Sequence, residues 1–275
     1  MPSKAASLAL SSHPGPAVAV TIITTGLGFA VGLAPVTLVF LLLAMLAGQV
    51  SIGLSNDWID ADLDRAAGRT DKPITRGWIS AGSVRNAAWI SAALMALLAI
   101  PLGWSSAVTL LAAVGLAWCY NLGLKRTPFS VLPYILSFGA LPAIATFALV
   151  PPHAPAAWAL GVGGLLGAAG HFANTLPDID TDRAAGVRGL PQLLGRRVSS
   201  IIAYVVLLAA AVLEVLGAGG FGFLPADIGL AINVVICTIG IVLINRPTRW
   251  HFRLIILAAL LDVVVLLFAG PFLLA

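Results

Sequence analysis

"NDWIDADLDRAAG", residues 56–68, decides the reading of this chain. It sets Asp57, Asp60, Asp62 and Asp64 directly after the apolar run PVTLVFLLLAMLAGQVSIGLS of residues 35–55. The rest of the chain is averse to charge. Of its 275 residues 60% are hydrophobic and 9% are charged, whereas soluble domains carry roughly 25% charged residues. A deficit spread over the whole length implies a polytopic membrane protein and excludes a soluble domain on a single anchor. Cys119 and Cys237 both fall in apolar runs and read as small buried packing residues, with no disulfide framework implied. The N-terminal stretch contains Lys4, but SSHPGP (11–16) interrupts its apolar part, so a cleaved signal peptide is not expected.

A helix needs about 20 apolar residues to cross the hydrocarbon core. Nine segments meet that need: 16–34, 36–56, 80–100, 103–122, 131–150, 156–176, 198–217, 226–245 and 251–273. They are assigned as helices because a helix satisfies its own backbone groups in lipid, whereas strands would require a closed barrel. Pro35, Pro101, Pro151, Pro152, Pro155 and Pro225 fall between or at the edges of these runs, where proline is tolerated. The predicted fold is therefore all-α, with nine transmembrane helices.

The charges test that count. Lys4 precedes the first span; Arg65, Arg69, Lys72, Arg76 and Arg85 follow the second; Lys125 and Arg126 follow the fourth. Arg183, Arg188, Arg196 and Arg197 follow the sixth, and Arg246, Arg249 and Arg253 follow the eighth. All 15 basic residues thus lie on one side of a nine-helix arrangement. Lys/Arg-rich loops are the cytoplasmic ones, which puts the N-terminus and both aspartate-bearing loops in the cytoplasm and the C-terminus across the bilayer. The expected location is a prokaryotic cell membrane, and no nucleic-acid partner is expected.

"NTLPDIDTDRAAG", residues 174–186, repeats the opening stretch 118 positions later. Asn56, Asp60, Asp62, Asp64 and Arg65-Ala66-Ala67-Gly68 match Asn174, Asp178, Asp180, Asp182 and Arg183-Ala184-Ala185-Gly186. Four spans separate the copies, an even number, so both enter the membrane in the same direction. The chain reads as one domain over 1–275 built from two parallel four-helix repeats, about 16–122 and 131–245, plus a ninth helix.

The spacing carries chemistry. If the helix continues past the membrane edge, Asn56, Asp60 and Asp64 share one face, with Asp57 one turn before Asp60, and Asn174, Asp178 and Asp182 repeat that face. Like charges so placed repel, and a helix C-terminus is the wrong pole for anions. A divalent cation reverses both penalties. Hard carboxylate and amide oxygens suit Mg²⁺, which commonly bridges one or two carboxylates to substrate phosphate. A lone Asp-xxx-Asp reads more simply as solvated charge; two matched copies at one membrane face favour the metal. Asp62 and Asp180 fall off the stripe and read as supporting or solvated. Arg183 is placed to pair with Asp178 or Asp182. His171 reads as a packed, hydrogen-bonded histidine, while Asp262, near the middle of the ninth span, is a functional suspect because ionisable groups there are costly.

These residues resemble the UbiA superfamily of intramembrane prenyltransferases over nearly the whole chain. The resemblance rests on Asn56-xxx-Asp60-xxx-Asp64, the trailing DRAAGRTDKPITRG, Asp178-xxx-Asp182, and YNLGLKRTPFS (120–130); NTLPDIDTDRAAGVRGL looks most like the menaquinone-type branch. Two positions depart from the pattern. Val187-Arg188-Gly189 stands where the menaquinone-type branch has Lys-Arg-Thr, and His13-Pro14 where many members have Arg-Pro. The resemblance implies nine helices around a central cavity capped by the two acidic loops, with Mg²⁺-diphosphate beneath the cap. It implies Mg²⁺-dependent transfer of an isoprenyl group from an isoprenyl diphosphate to a hydrophobic or aromatic acceptor, within the lipid bilayer. Asn56, Asp60, Asp64, Asp178 and Asp182 are the expected metal ligands, joined by Asp57 and Asn174; Asp60, Asp64, Asp178 and Asp182 are the expected catalytic carboxylates. Arg69, Lys72, Lys125, Arg188 and Tyr120 are the expected diphosphate contacts, although the basic residues also serve as positive-inside charge and Tyr120 as an interfacial aromatic. The alternatives are a UbiA-type terpene cyclase, a phosphoribosyl transferase of the same superfamily, and a membrane transporter. A transporter should hold its acids at the bilayer midplane, not at one interface.

Overall fold

In the computed structural model, which describes residues 2–66, 68–184, 186–246 and 248–275, the apolar runs are helical and no named β-strand forms among the described residues. The first half comprises α1 (Lys4–Ser11), α2 (Pro14–Ala30), α3 (Pro35–Ile59), α4 (Ala61–Ala66), α5 (Ala81–Ala99) and α6 (Trp104–Leu122). The second comprises α7 (Leu132–Gly139), α8 (Leu141–Phe147), α9 (Ala157–Thr175), α10 (Ile179–Ala184), α11 (Leu190–Leu194), α12 (Arg196–Gly217), α13 (Leu224–Val242) and α14 (Thr248–Phe268). Pro14, Pro35 and Pro225 open α2, α3 and α13, where a missing N–H costs nothing. Ser80 caps α5 by accepting from the Ser83 amide at 3.1 Å. Ala67 and Ala185, which belong to the repeated motif, lie outside the described residues.

Among the described residues six helices are long and apolar enough to cross a membrane: α3, α5 with its terminal turn, α6, α12, α13 and α14. Counting α1 and α2, bent by 64° between them, as one span makes seven. Two predicted spans take a different form. The run at 131–150 is broken into α7 and α8, which end and begin on either side of Ala140. Pro142, at the start of α8, has no N–H to continue the ladder. The run at 156–176 is helical as α9 but is not among the apolar six. It is rich in glycine and alanine, carries His171 and Asn174, and is largely buried against its neighbours, so it has little need of a lipid-facing surface.

Packing explains those small residues. Gly163 and Gly167 of α9 lie where a Cβ would collide with the carbonyl oxygens of Phe138 and Tyr134 on α7. Helices in lipid associate through such close backbone approach. α3 packs along α5, and α9 along α7 and α12. Outward faces carry exposed Ile90, Leu97, Val205, Val235 and Phe268, a surface that needs lipid. Of the two cysteines expected to be buried, the structure buries Cys237 but leaves Cys119 exposed.

Candidate active site

The first motif does not run on as one helix. α3 stops at Ile59 and α4 starts at Ala61, with Asp60 between them in a near-helical conformation. The Asp60 amide still bonds to the Asn56 carbonyl at 3.0 Å and the Asp64 amide to the Asp60 carbonyl at 2.8 Å, so the three side chains keep helical spacing. The second motif departs further. Pro177 lacks an N–H, and the Asp178 amide bonds three residues back, to Thr175 at 3.1 Å. From Asp178 to Asp182 the helical step returns at 2.8 Å. The predicted continuous helix therefore holds in spacing for Asn56–Asp64 but is kinked between Asn174 and Asp178.

Each aspartate of the first motif meets a cation from this chain. Asp57, 2% exposed, lies 2.9 Å from His13 Nε2 and 3.0 Å from Lys72 Nζ. Lys72 also stands 2.8 Å from Asp64 Oδ2, whose other oxygen has Arg69 at 3.8 Å. Lys125 donates to both oxygens of Asp60 at 2.7 and 2.5 Å, and Arg126 is 3.8 Å away. Burial pulls the Lys72 ammonium down, but Asp57 and Asp64 overcome it and hold it above the ordinary lysine range. At Lys125 burial wins over the attraction of Asp60, and the ammonium sits below that range.

The second motif is less enclosed. Asp178 is exposed; Asp182 is half-buried and accepts from Gln192 Nε2 at 2.8 Å. Burial and the nearby Asp178 raise the Asp182 carboxyl, against the pull of Gln192, Arg69 and Lys125. Arg69 lies within electrostatic reach of both Asp64 and Asp178, and Lys125 of both Asp60 and Asp182. Each of these two cations therefore lies near an aspartate of both motifs. Asp62 and Asp180 turn away to Arg65 (2.5 Å) and Arg196 (2.9 Å), in line with their place off the stripe. Arg183 does not pair with Asp178 or Asp182 but reaches the Leu193 carbonyl at 3.4 Å. Arg188 is exposed and meets none of the aspartates among the described residues.

Beneath the motifs lies a cavity of about 290 Å³ lined by α2, α3, α6, α7 and α9. Asn56 and Asn174, the first residues of the two acidic motifs, both line it, with Tyr120, Tyr134 and Phe138 and many aliphatic side chains. Residues 16–252 match the UbiA prenyltransferase family. The chain belongs to that family. Similar curated proteins include the digeranylgeranylglyceryl phosphate synthase of Pyrococcus horikoshii, 28% identical over 238 residues and 79% of each chain. The bacteriochlorophyll synthase 33 kDa chain of Cereibacter sphaeroides is 30% identical over 186 residues, 62% of this chain and 60% of that one. The fold also matches a UbiA homolog from Archaeoglobus fulgidus solved with DMAPP and Mg²⁺, at TM-score 0.74, 14% identity, and 96% and 99% coverage of this chain and that one. As a UbiA-family member the chain is a prenyltransferase of the membrane.

Asn121 and Tyr134 of this UbiA site were given no role from sequence, and His13 was noted there only for standing where many members have arginine. Asn121 donates to Ser55 Oγ at 2.8 Å and accepts from Asn56 at 3.2 Å, fixing the motif's first side chain. Its only sequence signal is its place beside Tyr120 in YNLGLKRTPFS. His13 adopts a left-handed φ of 53°, and the turn that carries it abuts α3 at Gly53, where a Cβ would strike the Ser12 carbonyl oxygen. Tyr134 packs edge-on to Tyr120 with ring centroids 5.2 Å apart. His171 is buried and bonded to Ser130 Oγ at 3.0 Å, as expected of a packed histidine.

The donor set fits a hard divalent cation in chemistry: carboxylate and amide oxygens, one of them, Asp64 Oδ2, buried and in ionic contact without hydrogen-bond alignment. Among the described residues no three acidic, His or Cys side chains already converge as a metal cage. Lys72, Lys125 and Arg69 hold the cationic positions instead.

Proposed function

We propose that the chain transfers an isoprenyl group from an isoprenyl diphosphate to an aromatic acceptor, in a site that both repeats build. One observation carries the reading: a largely apolar cavity is lined by the leading asparagines of both acidic motifs. An amphiphile with an apolar tail and a multiply charged head matches that division. Asn56, Asp60, Asp64, Asn174, Asp178 and Asp182, with Asp57 behind them, would hold Mg²⁺, and the ion would supply Lewis-acid stabilisation of the leaving diphosphate. Arg69, Lys72 and Lys125 add fixed positive charge there, with Arg188 nearer solvent. The rings of Tyr120, Tyr134 and Phe138 offer π-faces to the allylic cation as the C–O bond loosens, and the cavity keeps water from quenching it. The same wall suits a flat acceptor, whose carbon attacks while its proton is lost.

The layout that goes with this reading has nine membrane crossings in two parallel repeats plus α14, with α7 and α8 forming one broken crossing. The packing of α3 on α5 and of α9 on α12, one repeat apart, supports it. The N-terminus and both motifs face the cytoplasm on the distribution of the 15 basic residues. A second reading, with a glyceryl-phosphate lipid as acceptor, is favoured by the name of the Pyrococcus relative. Purified protein incubated with Mg²⁺, isoprenyl diphosphates of several lengths, and aromatic and glyceryl-phosphate acceptors tests both. The product mass should equal prenyl plus acceptor less a proton. A cyclic terpene formed from diphosphate alone would replace the transfer reading by a cyclase.

A further inference from the structure

At the start of α12 and α14 lies a second cleft, of about 420 Å³, which shares no lining residue with the cavity above. Its walls carry Arg196, Arg197, Arg246, Ser200, Thr248 and His251. Arg196 is engaged, by Asp180 at 2.9 Å and by the Thr248 hydroxyl at 3.1 Å. Arg197 and Arg246 are exposed and have no carboxylate within ion-pair distance among the described residues.

His251 makes this more than a patch of loop charge. It is 3% exposed, its Nδ1 lies 3.0 Å from the Tyr204 hydroxyl, and its Nε2 has no partner. The Tyr204 phenol makes no other hydrogen bond among the described residues, and the tautomer that lets it donate to Nδ1 puts the ring proton on Nε2. An N–H desolvated without an acceptor is costly, and His251 borders a cleft whose other polar side chains are three arginines, Ser200, Thr248 and Asn245. The missing partner is an anion with several acceptor oxygens. Phosphate meets arginine forks in that way, and both long helices direct their N-termini at it. Ile244 also lines the cleft, and α12 and α14 carry exposed Val205, Val212, Leu257 and Leu260 further along their lengths.

We propose that this cleft holds the phosphate of an anionic membrane lipid, with Arg197, Arg246 and His251 Nε2 donating to it and the acyl chains along the outward apolar faces of α12 and α14. Basic clefts between membrane helices take lipid headgroups by this chemistry. Each arginine near a membrane surface contributes roughly a fivefold gain in affinity, so removing two should cost about 25-fold.

The test uses full-length protein in phosphatidylcholine nanodiscs, titrated with phosphatidylglycerol or with inorganic phosphate, and read by native mass spectrometry. Phosphatidylglycerol should be retained by the wild type and by a Lys4→Gln/Arg85→Gln control, and lose about 25-fold in affinity in Arg197→Gln/Arg246→Gln. All four side chains are exposed, so folding should be intact. An equal loss in the control would mean bulk surface charge and overturn the site. Tight binding of inorganic phosphate with no preference for phosphatidylglycerol over phosphatidylcholine would overturn the lipid as its source.

Discussion

Lys72→Met should destabilise the metal-free protein by about 3 kcal/mol. The ammonium is held 3.0 Å from Asp57 and 2.8 Å from Asp64, with side chains 11%, 2% and 9% exposed. Removing one partner of a buried ion pair leaves an uncompensated charge and costs roughly 3–5 kcal/mol. The low end applies because His13 stays on Asp57 and Arg69 stays near Asp64. Methionine keeps the aliphatic packing, so the loss reports charge. The assay is equilibrium unfolding in mixed micelles, run as a double-mutant cycle with Asp57→Asn. The double variant should be better than the sum of the singles by about 1–3 kcal/mol, because groups in one network do not add. The pH dependence has a definite sign. A lysine whose folded pKa is raised gives stability that is full below its unfolded value, about 10.4, and lost only as pH climbs through the folded value. The cost of Lys72→Met should therefore be the same at pH 7 and pH 8.5. A loss below about 0.5 kcal/mol with additive singles would refute a buried charged triad.

Asp60→Asn and Asp178→Asn should each lower turnover by about 100-fold or more, the scale of losing an electrostatic contact to the transition state, while leaving the unfolding midpoint within a few degrees. Near-normal activity in either would remove that motif from the shared site. Lys125 should react with an amine-selective label at a lower midpoint pH in the native protein than in the denatured chain, since burial depresses it. Because the unfolded state then binds the extra proton, this group's contribution to stability rises with pH between the two values; a native midpoint above the denatured one would reverse the argument. Gly53→Val should cost about 1–3 kcal/mol through overpacking against Ser12 and loosen His13 from Asp57, seen as a changed histidine resonance by NMR. An unchanged resonance would mean the turn is positioned by something else.

The acidic motifs, the family and the membrane class were legible because each rests on a pattern that physics forces into sequence. Long apolar runs and charge-free middles are demanded by lipid, and Asn/Asp at fourfold spacing by a shared helical face. Proline's effect was only partly read. Pro142 splits one predicted span and Pro177 kinks the second motif, since a hydropathy run does not register a missing N–H. The partners of the aspartates were legible as types but not as pairs: Lys72 on Asp57 and Asp64, and Lys125 on Asp60, depend on how the loops fold back. Asn121, His13 and Gln192 carry no spacing signal, because each reaches its partner through tertiary contact. Arg183 shows the converse error, where helical proximity to two aspartates proposed a pair that the loop geometry replaces with a backbone carbonyl.

In the proposed reaction the two repeats hold one diphosphate between them, with its tail in the cavity of α2, α3, α6, α7 and α9. Crystals grown with Mn²⁺ in place of Mg²⁺ and a non-hydrolysable isoprenyl thiodiphosphate, measured at the manganese edge, test it most directly. Anomalous peaks should be ligated by Asp60 or Asp64 on one side and by Asp178 or Asp182 on the other, with the thiodiphosphate between them and its hydrocarbon against Tyr120 and Tyr134. Peaks confined to one motif, or a tail lying outside the bundle, would contradict it.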